Sequence, residues 1–166
     1  MVEQRIRPTK IPESVLVVIH TEALEVLLLE RADRAGFWQS VTGSRDSLTE
    51  DLRETAMREV FEETGIVVAR DDVLAPSQVP ASALVNWHHA VRYEIYEHWR
   101  HRYAPGVTHN VEHWWGLTVP RDITLTLAAR EHTRFAWLDW QEAAQRCFSP
   151  SNRDAILQLP QRCQAR

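Results

Sequence analysis

The stretch from Gly43 to Ile66, GSRDSLTEDLRETAMREVFEETGI, decides the fold that this sequence predicts. Its second half predicts a helix, because Ala56, Met57 and Val60 fall within an arc of about 100° at the α-helical period. An apolar stripe of this width packs on another element while the remaining faces meet solvent. The stretch therefore predicts one amphipathic helix lying on a β-sheet.

Two local patterns predict where this helix begins and ends. Ser47 followed three residues later by Glu50 is a capping-box pattern, in which each side chain bonds the backbone of the other. Gly65 is placed to end the helix, since glycine adopts the left-handed conformation found just after helices at little cost. We therefore expect a capping box at Ser47 and a stop at Gly65.

Three carboxylates, those of Glu59, Glu62 and Glu63, lie within five residues of one another on the same helix. Spacings of three and four residues place neighbours on one face, where like charges destabilise a helix unless water or a cation compensates. Mg²⁺ suits such a face, because it takes one or two carboxylates together with substrate phosphates, and Mn²⁺ is the second choice. Arg58 is placed to pair with Glu62, four residues on. We expect all three carboxylates to face outward along a cleft.

The pattern from Glu50 to Ile66, with REV at 58–60 and EE at 62–63, resembles the signature of the Nudix hydrolases. Those enzymes cleave nucleoside diphosphates linked to another group. Six residues separate Gly43 from Glu50 here, one more than in the family pattern, and the extra residue falls in the loop before the helix. The resemblance implies an α/β fold, a Nudix-type α/β/α sandwich with a mixed β-sheet flanked by helices.

Apolar runs on both sides of the helix predict the sheet. Residues 15–20 form a β-branched run typical of a strand buried on both faces, and residues 26–30 pair with it as a hairpin. Residues 37–43 predict a third strand that leads into the helix. The apolar residues 66–69 follow the helix and lead into a loop over 70–81, and further strands are predicted over 90–98 and 112–120. The resemblance implies a strand over 131–138 and a final helix over 140–148, and a further short helix is predicted up to 159.

Length and charge bound the kind of protein. With 166 residues and 44% hydrophobic composition, the chain predicts a single domain over 1–166 with a core at about 11–159. A net charge of -4 offers no general attraction for nucleic acid or an anionic membrane. The chain carries no apolar run of about 18 residues and no signal peptide, so we expect a cytoplasmic protein without a membrane or nucleic-acid partner. Its oligomeric state is left undecided.

Cysteine and histidine do not predict a second kind of metal site. Cys147 and Cys163 are the only cysteines, and they form no CxxC pair. Histidines are frequent in one quarter of the chain, but no HExxH pattern occurs. We therefore set aside as metal ligands His88, His89, His98, His101, His109 and His113.

Four segments carry a narrower resemblance, to the bacterial dihydroneopterin triphosphate diphosphatases of folate synthesis. They are FWQSVTGS at 37–44, AMREV at 56–60, HRYAPGVT at 101–108 and SNR at 151–153. Those enzymes release pyrophosphate from 7,8-dihydroneopterin triphosphate and leave the monophosphate. The resemblance implies metal ligands Glu59, Glu63 and Glu131, with Glu62 as a further one. It implies as substrate-binding residues Lys10, Arg31, Thr42, Tyr93, Glu94, Ile95, Tyr96 and Ser149.

The implied chemistry is a metal-assisted attack of water on phosphorus. Its catalytic residues would be Arg58, Glu59, Glu62 and Glu63, and either Glu131 or one of the helix glutamates could serve as general base. Lys10 and Arg31 would hold the outer phosphates, and Tyr93 or Tyr96 could face the pterin ring.

Two other functions stay open at this point. The signature recognises a diphosphate and not the group attached to it, so a general nucleoside triphosphate or dinucleotide diphosphatase is one alternative. A Nudix module that senses a nucleotide without cutting it is the other, although the intact Arg58-Glu59 and Glu62-Glu63 pairs favour an enzyme. A third function, removal of a cap from RNA, is not favoured, because the sequence lacks the basic stripe that would bind the RNA strand.

Overall fold

The structure, a computed structural model, describes residues 8–71 and 78–165. Residues 1–7 and 166 of the predicted domain, and 72–77 of the predicted loop, lie outside the described residues. The strands are β1 Glu13–His20, β2 Glu25–Arg31, β3 Trp38–Gln39, β4 Val41–Ser44, β5 Val67–Val68, β6 Gln78–Val79, β7 Leu84–Glu94, β8 His109–Thr118 and β9 His132–Asp139. The helices are α1 Leu52–Thr64, α2 Trp140–Arg146, α3 Pro150–Leu157 and α4 Leu159–Gln164, with 3₁₀ turns at Ala81–Ala83 and Glu97–Arg102.

A mixed sheet of seven strands is organised around β1. In the order β3-β2-β1-β8-β7, the pair β1 and β8 is parallel and its register runs from Glu13 opposite Val111 to His20 opposite Thr118. The other pairs of this sheet are antiparallel, with β4 added on β1 and β9 on β2, and β5 and β6 form a separate parallel pair. β1 is buried along nearly its whole length, as its β-branched sequence predicts.

Alternate residues of β1 supply two separate cores, one on each face of the sheet. Val15, Val17 and Ile19 pack with Ala56 and Val60 of α1. Their neighbours on the opposite face pack with α2, α3 and α4, through a set that includes Leu16, Val18, Ala143, Ala144, Ile156 and Leu159. Helices thus cover both faces of the sheet, and the predicted α/β/α sandwich is confirmed.

The start of α1 differs from the prediction. Asp51 caps the helix, because its side chain accepts a hydrogen bond from Arg53 N at 2.7 Å. Ser47 Oγ does accept from Glu50 N at 3.1 Å, but the side chain of Glu50 accepts from Asp46 N. Only half of the predicted capping box therefore forms, and it lies in the turn before the helix. The predicted end is confirmed, since Gly65 has a φ of 75° and its N–H donates to Phe61 O.

Two predicted strands also differ. The third strand is divided into β3 and β4 at Ser40, whose N–H donates to the side chain of Asn152 and not to a neighbouring strand. The strand predicted over 90–98 begins at Leu84 and ends at Glu94. Beyond that residue the chain turns into the 3₁₀ helix Glu97–Arg102, so the strand stops before the predicted end at residue 98.

Asn152 joins α3 to the junction between β3 and β4. Its Oδ1 accepts from Ser40 N at 2.7 Å and its Nδ2 donates to Ser40 Oγ at 2.9 Å, and both residues are buried. We predict that Asn152→Ala lowers the free energy of unfolding by about 1–3 kcal/mol, because it leaves buried polar groups unpaired. Urea unfolding measures this. The control is Arg153→Ala, at the exposed neighbouring position. An equal loss of free energy of unfolding in both variants would contradict the role of Asn152.

Candidate active site

Two cavities adjoin at the end of the sheet where β4, α1 and β8 meet. The carboxylate cavity, of about 590 Å³, is lined by Arg58, Glu59, Glu62, Glu63, Glu131 and His132. The aromatic cavity, of about 330 Å³, is lined by Tyr93, Tyr96, Trp99, Tyr103 and Phe148. They share a rim that consists of Lys10, Arg31, Gln39, Thr42, Gly43, Ser44 and Arg102.

Arg58 fixes the outer end of the group of carboxylates on α1. Its guanidinium donates to both oxygens of Glu50 at 3.0 Å, to Glu59 at 2.8 Å and to the carbonyl of Ser44 at 2.9 Å. The predicted contact with Glu62 is present at 3.3 Å. Hydrogen bonds from Arg58 lower the pKa of Glu50 to about 2, so Glu50 stays ionised and holds the guanidinium in place.

The three helix carboxylates do not all face solvent, which corrects the sequence analysis. Glu62 is half exposed, whereas the side chain of Glu59 is 12% exposed and that of Glu63 is buried. Glu59 lies directly over Gly43, where an added Cβ would come within 1.9 Å of its Cδ. The helix approaches β4 this closely because residue 43 has no side chain.

Burial and mutual repulsion act on the two inner carboxylates. Burial and then the charge of Glu63 raise the pKa of Glu59 to about 8. Burial also raises the pKa of Glu63, although the ring of His132, 3.2 Å from Glu63 Oε1, opposes the shift. A cation between these groups would reverse both effects, since it stabilises the ionised carboxylates.

Donor atoms suited to a divalent cation lie at the inner end of the carboxylate cavity. Glu63, Glu131 and His132 each present one ligand atom, and these atoms lie within 4.8 Å of one another. Glu63 Oε2 is buried and has no hydrogen-bond partner in the part of the chain that the structure describes. Carboxylate oxygens without partners are the donors that a hard cation takes, so the residues present fit such an ion.

The residues that the resemblance implied for substrate binding divide between the rim and the aromatic cavity. Lys10, Arg31 and Thr42 lie on the shared rim. Arg31 is held by Asp33 at 2.7 Å, and its guanidinium carbon lies 5.1 Å from the ring centre of Trp99. The aromatic cavity is lined by the remaining five, Tyr93, Glu94, Ile95, Tyr96 and Ser149.

Several residues that the structure brings to these cavities were not among the site residues predicted from the sequence. His132 begins β9, one residue beyond the candidate ligand Glu131, and was not distinguished from the other histidines. Asn110 and Glu112 are buried on the inner strand β8, on either side of the half-buried Val111, and two polar residues at the same face of a strand are the signal that could have found them. Arg102 lies within a quoted segment but was given no role.

A family model described as the NUDIX domain matches residues 10–159. The chain belongs to the Nudix hydrolase family. Nudix hydrolases generally use divalent metal ions and act on small-molecule phosphate substrates, which agrees with the donor set around Glu63.

Individual relatives are similar over most of the chain. It is 42% identical over 151 residues to a dihydroneopterin triphosphate diphosphatase of Escherichia coli strain K12, covering 90% of this chain and 93% of that protein. It is 36% identical to the Haemophilus influenzae protein of the same name, covering 87% of this chain and 84% of that one. The solved E. coli dihydroneopterin triphosphate pyrophosphohydrolase matches with a TM-score of 0.74 at 39% identity, covering 92% of this chain and 97% of that one.

We predict that Glu63→Gln separates metal binding from folding. Glutamine keeps the acceptor for His132 and removes a buried charge, so the metal-free variant should melt at the same temperature as the natural protein or higher. Mg²⁺ should raise the Tm of the natural protein by binding the folded state, and it should have little effect on the variant. Turnover should fall about 100-fold or more.

The matched control is Glu54→Gln, on the same helix but outside both cavities. It should keep the response of the Tm to Mg²⁺ and the turnover. Near-normal turnover of both Glu59→Gln and Glu63→Gln at saturating Mg²⁺ would show that this helix is not the catalytic one.

Proposed function

We propose that this protein hydrolyses 7,8-dihydroneopterin triphosphate to dihydroneopterin monophosphate and pyrophosphate with Mg²⁺, as a step of folate biosynthesis. The names of the E. coli and H. influenzae relatives support the substrate. We further propose that residues 1–166 form one Nudix domain. No helix among residues 8–71 and 78–165 is long and apolar enough to cross a membrane.

The observation that carries this proposal is the continuity of the two cavities. A triphosphate attached to a flat ring needs a polar region for the phosphates next to an apolar region for the ring. The carboxylate cavity and the aromatic cavity meet at a rim that carries Lys10, Arg31 and Arg102. These cations lie where a phosphate chain would pass from one cavity to the other.

In this proposal Glu59, Glu62, Glu63 and Glu131 would hold the divalent cation, with His132 as a further donor beside Glu63 and Glu131. A bound cation neutralises charge on the phosphate oxygens and lowers the pKa of water. Arg58 contacts Glu59 and Glu62 directly, so it sets the positions of both carboxylates. The absence of a side chain at Gly43 leaves room for Glu59 beside β4.

The proposed reaction is substitution at phosphorus by water. A water oxygen bonds to phosphorus, the bridging P–O bond breaks, and pyrophosphate leaves with its electron pair. The proton of the attacking water passes to a carboxylate of the carboxylate cavity. Lys10 and Arg31 hold the phosphates in line. Burial and the nearby Arg102 lower the pKa of Lys10, which a bound phosphate would counteract.

In this proposal the ring of the substrate lies in the aromatic cavity. Tyr93 and Ile95 lie on its wall, and Tyr96, half exposed, packs edge-on against Trp99. Glu94 pairs with Arg100, and Ser149 caps α3. We propose that the aromatic side chains contact the faces of the ring, which gives affinity for any flat ring of suitable size.

We predict a higher kcat/KM for dihydroneopterin triphosphate than for GTP or dATP, with some activity on both nucleotides. The reason is that polar groups in a closed cavity are left unpaired by a mismatched ring, which can cost several kcal/mol. Initial rates on the three substrates with Mg²⁺, read as pyrophosphate against phosphate, measure this.

Two results would change the proposal. Equal kcat/KM on all three substrates would leave a broad nucleotide diphosphatase in its place. Binding of nucleotides without pyrophosphate release would indicate a sensing module. Tyr96→Ala should lower kcat/KM on the pterin substrate and on both nucleotides, because it removes a contact that any flat ring makes and leaves the contacts with the phosphates intact.

A further inference from the structure

Glu112 is a buried carboxylate that lies apart from the donor atoms of Glu63, Glu131 and His132. Glu112, on the inner strand β8, is 4% exposed and lines the aromatic cavity but not the carboxylate cavity. Its hydrogen-bond donors are Trp114 Nε1, at 3.2 Å, and the hydroxyl of Ser151. Both donors are neutral, and burial raises the pKa of Glu112. The chemistry proposed above gives this group no role.

No cation compensates this carboxylate from within the described chain. Among residues 8–71 and 78–165, Glu112 takes part in no ion pair, although nearly every other buried or half-buried carboxylate near the cavities does. A buried carboxylate without an ionic partner is costly unless a bound group supplies the missing donors. The position of Glu112 in a cavity wall gives a ligand access to it.

Asn110 places a second acceptor beside Glu112. The two residues are two positions apart on β8, so their side chains lie on the same face of the strand. The amide Nδ2 of Asn110 donates to Ser14 Oγ at 2.8 Å and to Tyr93 Oη at 3.0 Å. Its Oδ1 is buried and has no hydrogen-bond partner among the residues that the structure describes.

We propose that Glu112, assisted by Asn110, binds the donor edge of a 2-amino-4-oxopyrimidine ring. This edge carries a ring N–H beside an exocyclic amino group, so it offers adjacent donors to a carboxylate. Pterin and guanine share the edge, whereas adenine presents a ring nitrogen lone pair beside its amino group. The proposal rests on the proposed function and assigns ring selection to β8, not to the faces of the aromatic rings.

The test compares three triphosphates in the natural protein and in Glu112→Gln. We expect the natural protein to show a kcat/KM for dihydroneopterin triphosphate and for GTP about tenfold or more above that for ATP. The variant should lose about tenfold to a hundredfold on the first two, because it replaces a charged acceptor with an amide. Its rate on ATP should change by less than about threefold.

A binding measurement separates the ring from the phosphates and from the metal. Neopterin carries the same edge without phosphates, and its fluorescence can be titrated with metal-free protein. The natural protein should bind neopterin more tightly than Glu112→Gln does. The control is Glu97→Gln, an exposed carboxylate that lies outside the aromatic cavity and should behave like the natural protein. Thermal unfolding checks that the variants are folded.

The outcomes distinguish this inference from the proposed function. A preference for the pterin substrate over ATP that survives unchanged in Glu112→Gln overturns the role of Glu112 and leaves the function standing. A preference for GTP over ATP that the variant loses, in a protein that does not favour the pterin, supports the role of Glu112 and overturns the pterin assignment. Equal rates on GTP and ATP in the natural protein overturn the role of Glu112.

Discussion

The guanidinium of Arg58 is the group on which the geometry of the site depends. It bonds at once to Glu50 before the helix, to Glu59 within it and to the carbonyl of Ser44 at the end of β4. The loop, the helix and the sheet are therefore joined at one point. Because Glu59 and Glu63 lie within one turn of each other, a cation site between them would be lost if the helix shifted along the sheet.

Local patterns in the sequence were sufficient for the elements whose stability is local. The buried run of β1, the apolar stripe of α1 and the stop at Gly65 follow from side-chain periodicity and backbone preference. The grouping of Glu59, Glu62 and Glu63 could also be predicted, since all three lie on one helix, whereas Glu131 came only from the family resemblance and His132 was not identified. What could not be predicted is how deeply each is buried, because that depends on the approach of α1 to β4 over Gly43.

Contacts between distant parts of the chain account for the remaining differences. Ser40 divides a predicted strand because Asn152, far along the chain, accepts the hydrogen bond of its amide. Glu112 lies in a predicted strand, yet its role depends on the cavity formed by β7, α3 and the 3₁₀ helix around it. A local window of sequence shows neither Asn152 beside Ser40 nor the elements that surround Glu112. The resemblance to Nudix hydrolases supplied the site that periodicity alone would have left incomplete.

The parallel pairing of β1 with β8 has a consequence for how the protein becomes active. Glu13 lies opposite Val111, so the centre of the sheet closes a loop that contains most of the chain, including the whole of α1. Pairings of this length form slowly compared with helices, because the entropy of the loop is lost before the contacts are made. During synthesis or refolding, α1 can form with its glutamates before β8 brings Asn110 and Glu112 into place. Hydrolysis should therefore begin only when β1 and β8 pair, so the time at which activity appears would report when that pairing forms.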